Sequence, residues 1–86
     1  MAFMLRDGVS TADTDYGTTV LDTDSGEYWT LNPTGALVLR TLLDGGTPGE
    51  AAKALTEQYA VDAHTAGQDV QDLVGGLESA GLVRQG

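Results

Sequence analysis

The spacing of apolar positions changes once along the chain. Up to about Leu31, single apolar residues sit among Thr, Asp and Ser, and glycines punctuate the run. From Asn32 onward, Ala and Leu recur at spacings of three and four. Alternation marks strands and the 3.6-residue period marks helices. The first part predicts strands over Val9 to Thr14, Thr18 to Thr23 and Glu27 to Leu31, separated by Asp15-Tyr16-Gly17 and Asp24-Ser25-Gly26. The second part predicts three helices. Strands followed by helices read as an α+β chain with the helices on one side of a small antiparallel sheet.

The helix starts are written in the capping residues. Asn32 followed by Pro33 opens the first helix, whose wide apolar surface is Leu37, Val38, Leu39, Leu42 and Leu43; Gly45-Gly46 ends it. Thr47 and Pro48 repeat the device for a second helix, with a narrower stripe of Ala51, Ala52, Leu55 and Tyr59. Asp62 caps the third, whose apolar positions are Ala63, Ala66, Val70, Leu73, Leu77 and Ala80. Gly81 stops it, and Leu82-Val83 can fold back on the core. In the second hairpin, a three-residue loop over Asp24-Ser25-Gly26 sets Leu21 opposite Trp29 and Thr19 opposite Leu31. Leu21, Trp29 and Leu31 would then share the helix-covered face. A two-residue loop pairs Asp22 with Trp29, a poorer match.

Composition narrows the classes. At 86 residues, 41% hydrophobic and 20% charged, residues 1–86 suit one globular domain. The net charge of -9, from 13 acidic and 4 basic residues, opposes nucleic acid and anionic membranes, whose binders need Lys and Arg. A neutral or basic partner fits better. With no Cys, disulfides, thiolate chemistry and Cys-type zinc sites are excluded. The opening Met1-Ala2-Phe3-Met4-Leu5-Arg6 is too short for the apolar part of a signal peptide, and no apolar run reaches the ~20 residues that span a bilayer. A cytoplasmic location is expected.

Candidate chemistry is sparse. Asp69 and Asp72 share a helical face, but nothing in the sequence gives them a pocket or a shifted environment, so a solvated face is the plain reading. His64 has no second His or Cys to complete a metal site and should be exposed. Ser10, Ser25 and Ser79 are accounted for by strand, turn and helix end. Gly75-Gly76 is unusual, since a glycine inside a helix costs ~1 kcal/mol relative to Ala. Either close packing between helices or the approach of another backbone would explain it. Tyr28 and Trp29 are strand neighbours that point to opposite faces. One ring can therefore enter the core while the other faces a groove.

Over Gly26-Glu27-Tyr28-Trp29-Thr30-Leu31-Asn32-Pro33-Thr34-Gly35-Ala36 the sequence resembles the PqqD-like family, and within it the stand-alone RiPP recognition elements of lasso-peptide biosynthesis. The likeness continues through the Leu-rich first helix, Asp44-Gly45-Gly46-Thr47-Pro48, and Leu77-Glu78-Ser79-Ala80-Gly81-Leu82-Val83. It implies a three-stranded antiparallel sheet followed by three helices, related to winged helix-turn-helix proteins. It implies a non-catalytic domain without cofactor or metal. Such a domain binds the leader of a ribosomally made precursor as an extra strand, between the third strand and the third helix. It then presents the precursor to a partner peptidase and a cyclase. Carried over, the site is Glu27, Tyr28, Trp29, Thr30 and Leu31 on the strand, facing Asp69, Val70, Asp72, Leu73 and Gly76 on the helix.

Physical chemistry agrees with that expectation. The third strand of a meander is an edge, and this one contains neither Pro nor Lys to block pairing. Two rivals differ in testable features. A winged-helix nucleic-acid binder needs a basic recognition helix, whereas the third helix here carries Asp69, Asp72 and Glu78 and no Lys or Arg. A carrier domain would hold its phosphopantetheine serine at a helix start, whereas Ser25 precedes the strand pattern Glu27-Tyr28-Trp29-Thr30-Leu31.

Overall fold

The computed structural model describes residues 3–85. Strands β1 to β4 span Phe3–Leu5, Val9–Thr14, Gly17–Asp22 and Tyr28–Leu31. Helices α1, α2 and α3 span Pro33–Leu43, Pro48–Gln58 and Ala63–Ser79, and β5 covers Val83–Gln85. β2, β3 and β4 form an antiparallel sheet in that order. The expected α+β arrangement, a three-stranded antiparallel sheet followed by three helices, is the one observed. A two-stranded ribbon, β1 against β5, is added to it.

All three expected caps form. Asn32 Oδ1 accepts from the Gly35 N–H at 2.9 Å. Thr47 Oγ1 accepts from the Glu50 N–H at 3.1 Å while Glu50 Oε1 accepts from the Thr47 N–H at 3.0 Å, a reciprocal capping box. Asp62 Oδ1 accepts from the Thr65 N–H at 2.8 Å. That bond and the Thr65 hydroxyl hold the Asp62 carboxyl below its ordinary pKa. Each cap contributes about 0.5–2 kcal/mol to its helix.

One hydrophobic cluster joins sheet, helices and ribbon. Val20, Val38, Leu42, Leu55, Val70 and Leu82 are its most fully buried members. Burying one such side chain is worth about 1.5–3 kcal/mol. Leu82 and Val83 do fold back into it, and Phe3 from β1 joins them. Arg6 fastens the ribbon to the sheet: its Nε donates to the Gly81 carbonyl and its guanidinium meets Asp22 Oδ2 at 2.8 Å. Tyr59 and Ala63, expected in apolar stripes, are exposed instead, as is Ala80. Tyr59 and Ala80 are C-caps and Ala63 is the first residue of its helix, so all three stand at the rim.

The second hairpin corrects the expected register by one residue. Val20 faces Trp29 and Thr18 faces Leu31, while Leu21 faces Tyr28. The loop holds four residues, Thr23 to Gly26, because Asp22 organises it. Its Oδ1 accepts from the Asp24 N–H at 3.0 Å, and its carbonyl accepts from the Gly26 N–H at 2.8 Å. Gly26 closes the turn at φ +78. Trp29 and Leu31 still point toward the helices, but their partners there are Val20 and Thr18. Leu21 lies on the opposite, exposed face.

Candidate functional site

The strand ladder decides which backbone groups β4 leaves free. The Asp22 N–H donates to the Glu27 carbonyl at 2.9 Å, so this pair faces across the ladder. Alternation in an antiparallel ladder then turns the N–H and C=O of Trp29 and Leu31 toward β3. Those of Tyr28 and Thr30 point outward, along the open edge of the sheet. Side chains alternate in the same rhythm: Trp29 and Leu31 face the helices, and Tyr28 and Thr30 the helix-free side.

Beside this edge lies a cleft of about 440 Å³. β4 and the start of α1 form one wall through Thr30, Leu31, Asn32, Thr34 and Gly35. Asp69, Asp72 and Leu73 of α3 form the other, and Val38 and Leu55 floor it. The cleft therefore has an apolar base and a polar rim, with Asn32 and Thr34 on one side and the carboxylates of Asp69 and Asp72 on the other. No cationic side chain lines it among the described residues. Gln68 Nε2 donates to Asp72 Oδ1 at 3.0 Å, which steadies one carboxylate at the rim.

Of the site residues expected from the sequence, Thr30, Leu31, Asp69, Asp72 and Leu73 meet in this cleft. Glu27 lies just before β4 and is exposed. Tyr28 is 68% exposed on the helix-free face, and Trp29 packs partly buried against the core. Val70 is buried beneath α3 and Gly76 is exposed on it. Asn32, Thr34, Gly35, Val38 and Leu55 were not expected. Capping and core packing account for Asn32, Val38 and Leu55 in the sequence, so nothing marked their second role. Ser25 sits in the hairpin loop, where its Oγ accepts from the Glu27 N–H at 3.2 Å, and not at a helix start. His64 is exposed. Among the described residues no group of three or more His, Cys, Asp or Glu is placed to hold a metal, and no helix is long and apolar enough to cross a membrane.

Comparison with known proteins gives consistent matches. The family described as Coenzyme PQQ synthesis protein D (PqqD) matches residues 17–83. A solved structure of lasso peptide synthetase B1 complexed with the leader peptide is 44% identical. It superposes with a TM-score of 0.91, over 99% of this chain and 100% of that one. TbiB1 in complex with the TbiA(beta) leader peptide is 27% identical, with a TM-score of 0.85 over 100% of this chain and 98% of that one. No curated protein matches significantly.

Proposed function

This chain belongs to the PqqD family, as a PqqD-like RiPP recognition element, and from that premise we propose that it binds a precursor's leader peptide as an added strand on β4. The observation that carries the reading is the pair of outward backbone positions, Tyr28 and Thr30, beside a cleft with an apolar floor. Main-chain bonds along such an edge supply affinity, at a net ~0.5–1.5 kcal/mol each, and the cleft sorts the side chains that alternate into it. Both similar structures were solved with leader peptides, which supports the same assignment.

In this reading the leader, that of a lasso-peptide precursor, runs along Glu27, Tyr28, Trp29, Thr30 and Leu31. Asp69, Asp72, Leu73 and Gly76 face it, and Val70 holds α3 in place from the core. Residues 1–86 act as one leader-recognition domain in the cytoplasm. The domain presents the precursor to a partner leader peptidase and then a cyclase, with no catalysis and no cofactor of its own. The missing Cys and the single His leave no nucleophile–base pair of the usual kinds.

Proline substitution tests the docking edge. Pro lacks the N–H, and its ring occupies the space into which that group would donate. Thr30→Pro removes an outward donor, and the residue before it, Trp29, is already extended as Pro requires. The probe is a fluorescent synthetic copy of the leader peptide bound in the 44%-identical structure, read by polarisation. The parent should bind. Thr30→Pro should bind at least ~10-fold more weakly with little change in its melt, whereas Trp29→Pro, which breaks the bond to β3, should unfold first. A folded Thr30→Pro that binds like the parent removes β4 as the docking edge.

A further inference from the structure

Of the three glycines inside α3, Gly67, Gly75 and Gly76, the last two are adjacent, and the fold itself does not require either of that pair. Neither has a positive φ. A Cβ built on either one meets nothing within 4 Å. Close packing within the chain, one of the two explanations open from the sequence, is therefore set aside. The two positions differ in where they point. At 100° per residue, Gly76 lies on the stripe of Asp69 and Asp72, which line the cleft. Gly75 is turned ~100° from Gly76, away from the core and toward solvent, with Gln68, Gln71 and Ser79, all exposed.

The long direction of the cleft places Gly76 further. Asp69 and Leu73 share the cleft with Thr30, Leu31 and Asn32. At the other end, Arg6 bridges the Gly81 carbonyl just after α3 and Asp22 at the start of the β3–β4 loop. α3 and β4 therefore run in opposite senses, and Gly76 stands level with the Tyr28 end of the strand. A peptide paired to β4 lies ~4.8 Å further out, in the space between strand and helix. A side chain at Gly76 would project into that space.

We propose that Gly76 is where the main chain of the docked leader makes its closest approach to α3, and that its missing side chain is what admits that chain. This rests on the leader-docking reading and adds a positioning residue to it. The peptide is pinned to β4 by its own backbone, so it cannot move aside when α3 grows a side chain there. Gly75 supplies the internal control, being the same residue one position away on the solvent side.

The experiment uses the full chain and the same labelled leader peptide, with a thermal melt for every variant. Gly75→Ala and Gly76→Ala should both melt higher than the parent, because Ala is the better helix former. Gly75→Ala should bind like the parent. Gly76→Ala should bind about 5- to 10-fold more weakly, and Gly76→Leu about 50-fold more weakly while still folded. Stability and affinity would then move in opposite directions at one position only. If the parent binds the leader and Gly76→Leu binds equally well, this inference fails and the docking edge stands. If the parent does not bind, both fall together.

Discussion

The sheet has two edges, and they are built differently. β4 offers its outward backbone at Tyr28 and Thr30, carries no charge between Tyr28 and Leu31, and borders the 440 Å³ cleft. On β2 the outward positions are Thr11 and Asp13, because Ser10 and Ala12 pair with Leu21 and Thr19 across the ladder. A smaller groove of about 190 Å³ lies beside them, floored by Ala36, Leu39 and Leu43 of α1. On this edge Asp13 points to the helix side, where its Oδ1 accepts from the buried Thr18 hydroxyl at 3.1 Å. A strand added here would have to pass its inward side chains over a carboxylate above apolar floor. An inward-facing charge on an edge strand is a known way of refusing such a partner. At β4 the carboxylates stand on the opposing helix instead, where they can meet a peptide's side chains without blocking its backbone. The two edges share one hydrogen-bonding capacity and differ in where their charges stand: Asp13 is on the β2 strand itself, with Arg40 and Asp44 of the α1 side beside the same groove, whereas at β4 the charges are on the opposing helix.

The comparison breaks most visibly at Asp13. Asp13→Val removes the inward charge and leaves a β-branched residue over the α1 groove. The unguarded edge should pair with a second copy, giving concentration-dependent dimers by sedimentation at about 0.1 mM, a concentration at which the parent should sediment as a monomer. The variant also leaves the Thr18 hydroxyl unpaired, a cost of about 1–3 kcal/mol. Thr18→Val in the same chain should recover part of that loss while keeping the dimer. A double variant that is folded and monomeric at this concentration would show that Asp13 does not guard β2.

The carboxylates at the open edge should matter less. Asp69→Asn with Asp72→Asn keeps shape and removes two charges from the cleft rim. Exposed charge pairs are worth about 0.2–1 kcal/mol each, so affinity for a leader with nearby basic groups should fall about 2- to 30-fold at low salt. The larger signature is in the salt series, which should flatten as the screened attraction disappears. A slope identical to the parent's would take both residues out of the contact.

Much of this contrast was legible in the sequence, and the part that was not has physical causes. The helices announce themselves locally, through Asn32-Pro33, Thr47-Pro48 and Asp62, and each cap is found in place. That Trp29 and Leu31 face inward follows from alternation alone. Their partners do not, because the register depends on a loop that the Asp22 side chain organises, and Asp24-Ser25-Gly26 reads equally well as a shorter turn. The β1–β5 ribbon was missed because each strand has three residues and the pair joins opposite ends of the chain. In the site, Asp69, Asp72 and Leu73 were reached through a family likeness, whereas Asn32, Thr34 and Gly35 are brought to the cleft only by the turn from β4 into α1. The guard at Asp13 needs the outward and inward parity of β2, which only the ladder supplies.

The register of the open edge leads to the smallest effect, an acid one. Burial works against the charge on Asp22, but the N–H groups of Asp24 and Ser25 and the Arg6 guanidinium outweigh it and hold the carboxyl below its ordinary pKa. A pKa that is lower in the folded chain means that unfolding takes up a proton as pH falls. The stabilisation from Asp22 is therefore complete above the ordinary aspartate value of ~3.9 and is lost as pH drops through it toward the folded value. At the β2–β3 turn the corresponding bond is neutral, from the Tyr16 N–H to Thr14 Oγ1 at 3.2 Å, and it has no such dependence. Acid should therefore loosen the loop that sets β4 before it affects the turn that joins β2. Asp62 titrates in the same direction, so the informative quantity is the parent minus Asp22→Asn. Asp22→Asn should melt below the parent at pH 7, and the gap should narrow as pH falls from about 5 to about 3. Amide exchange in the parent over that window should rise first at Asp22 to Glu27. A gap that stays constant with pH would mean that the Asp22 charge does not fix the loop, and that its shape follows from Gly26 and the backbone alone.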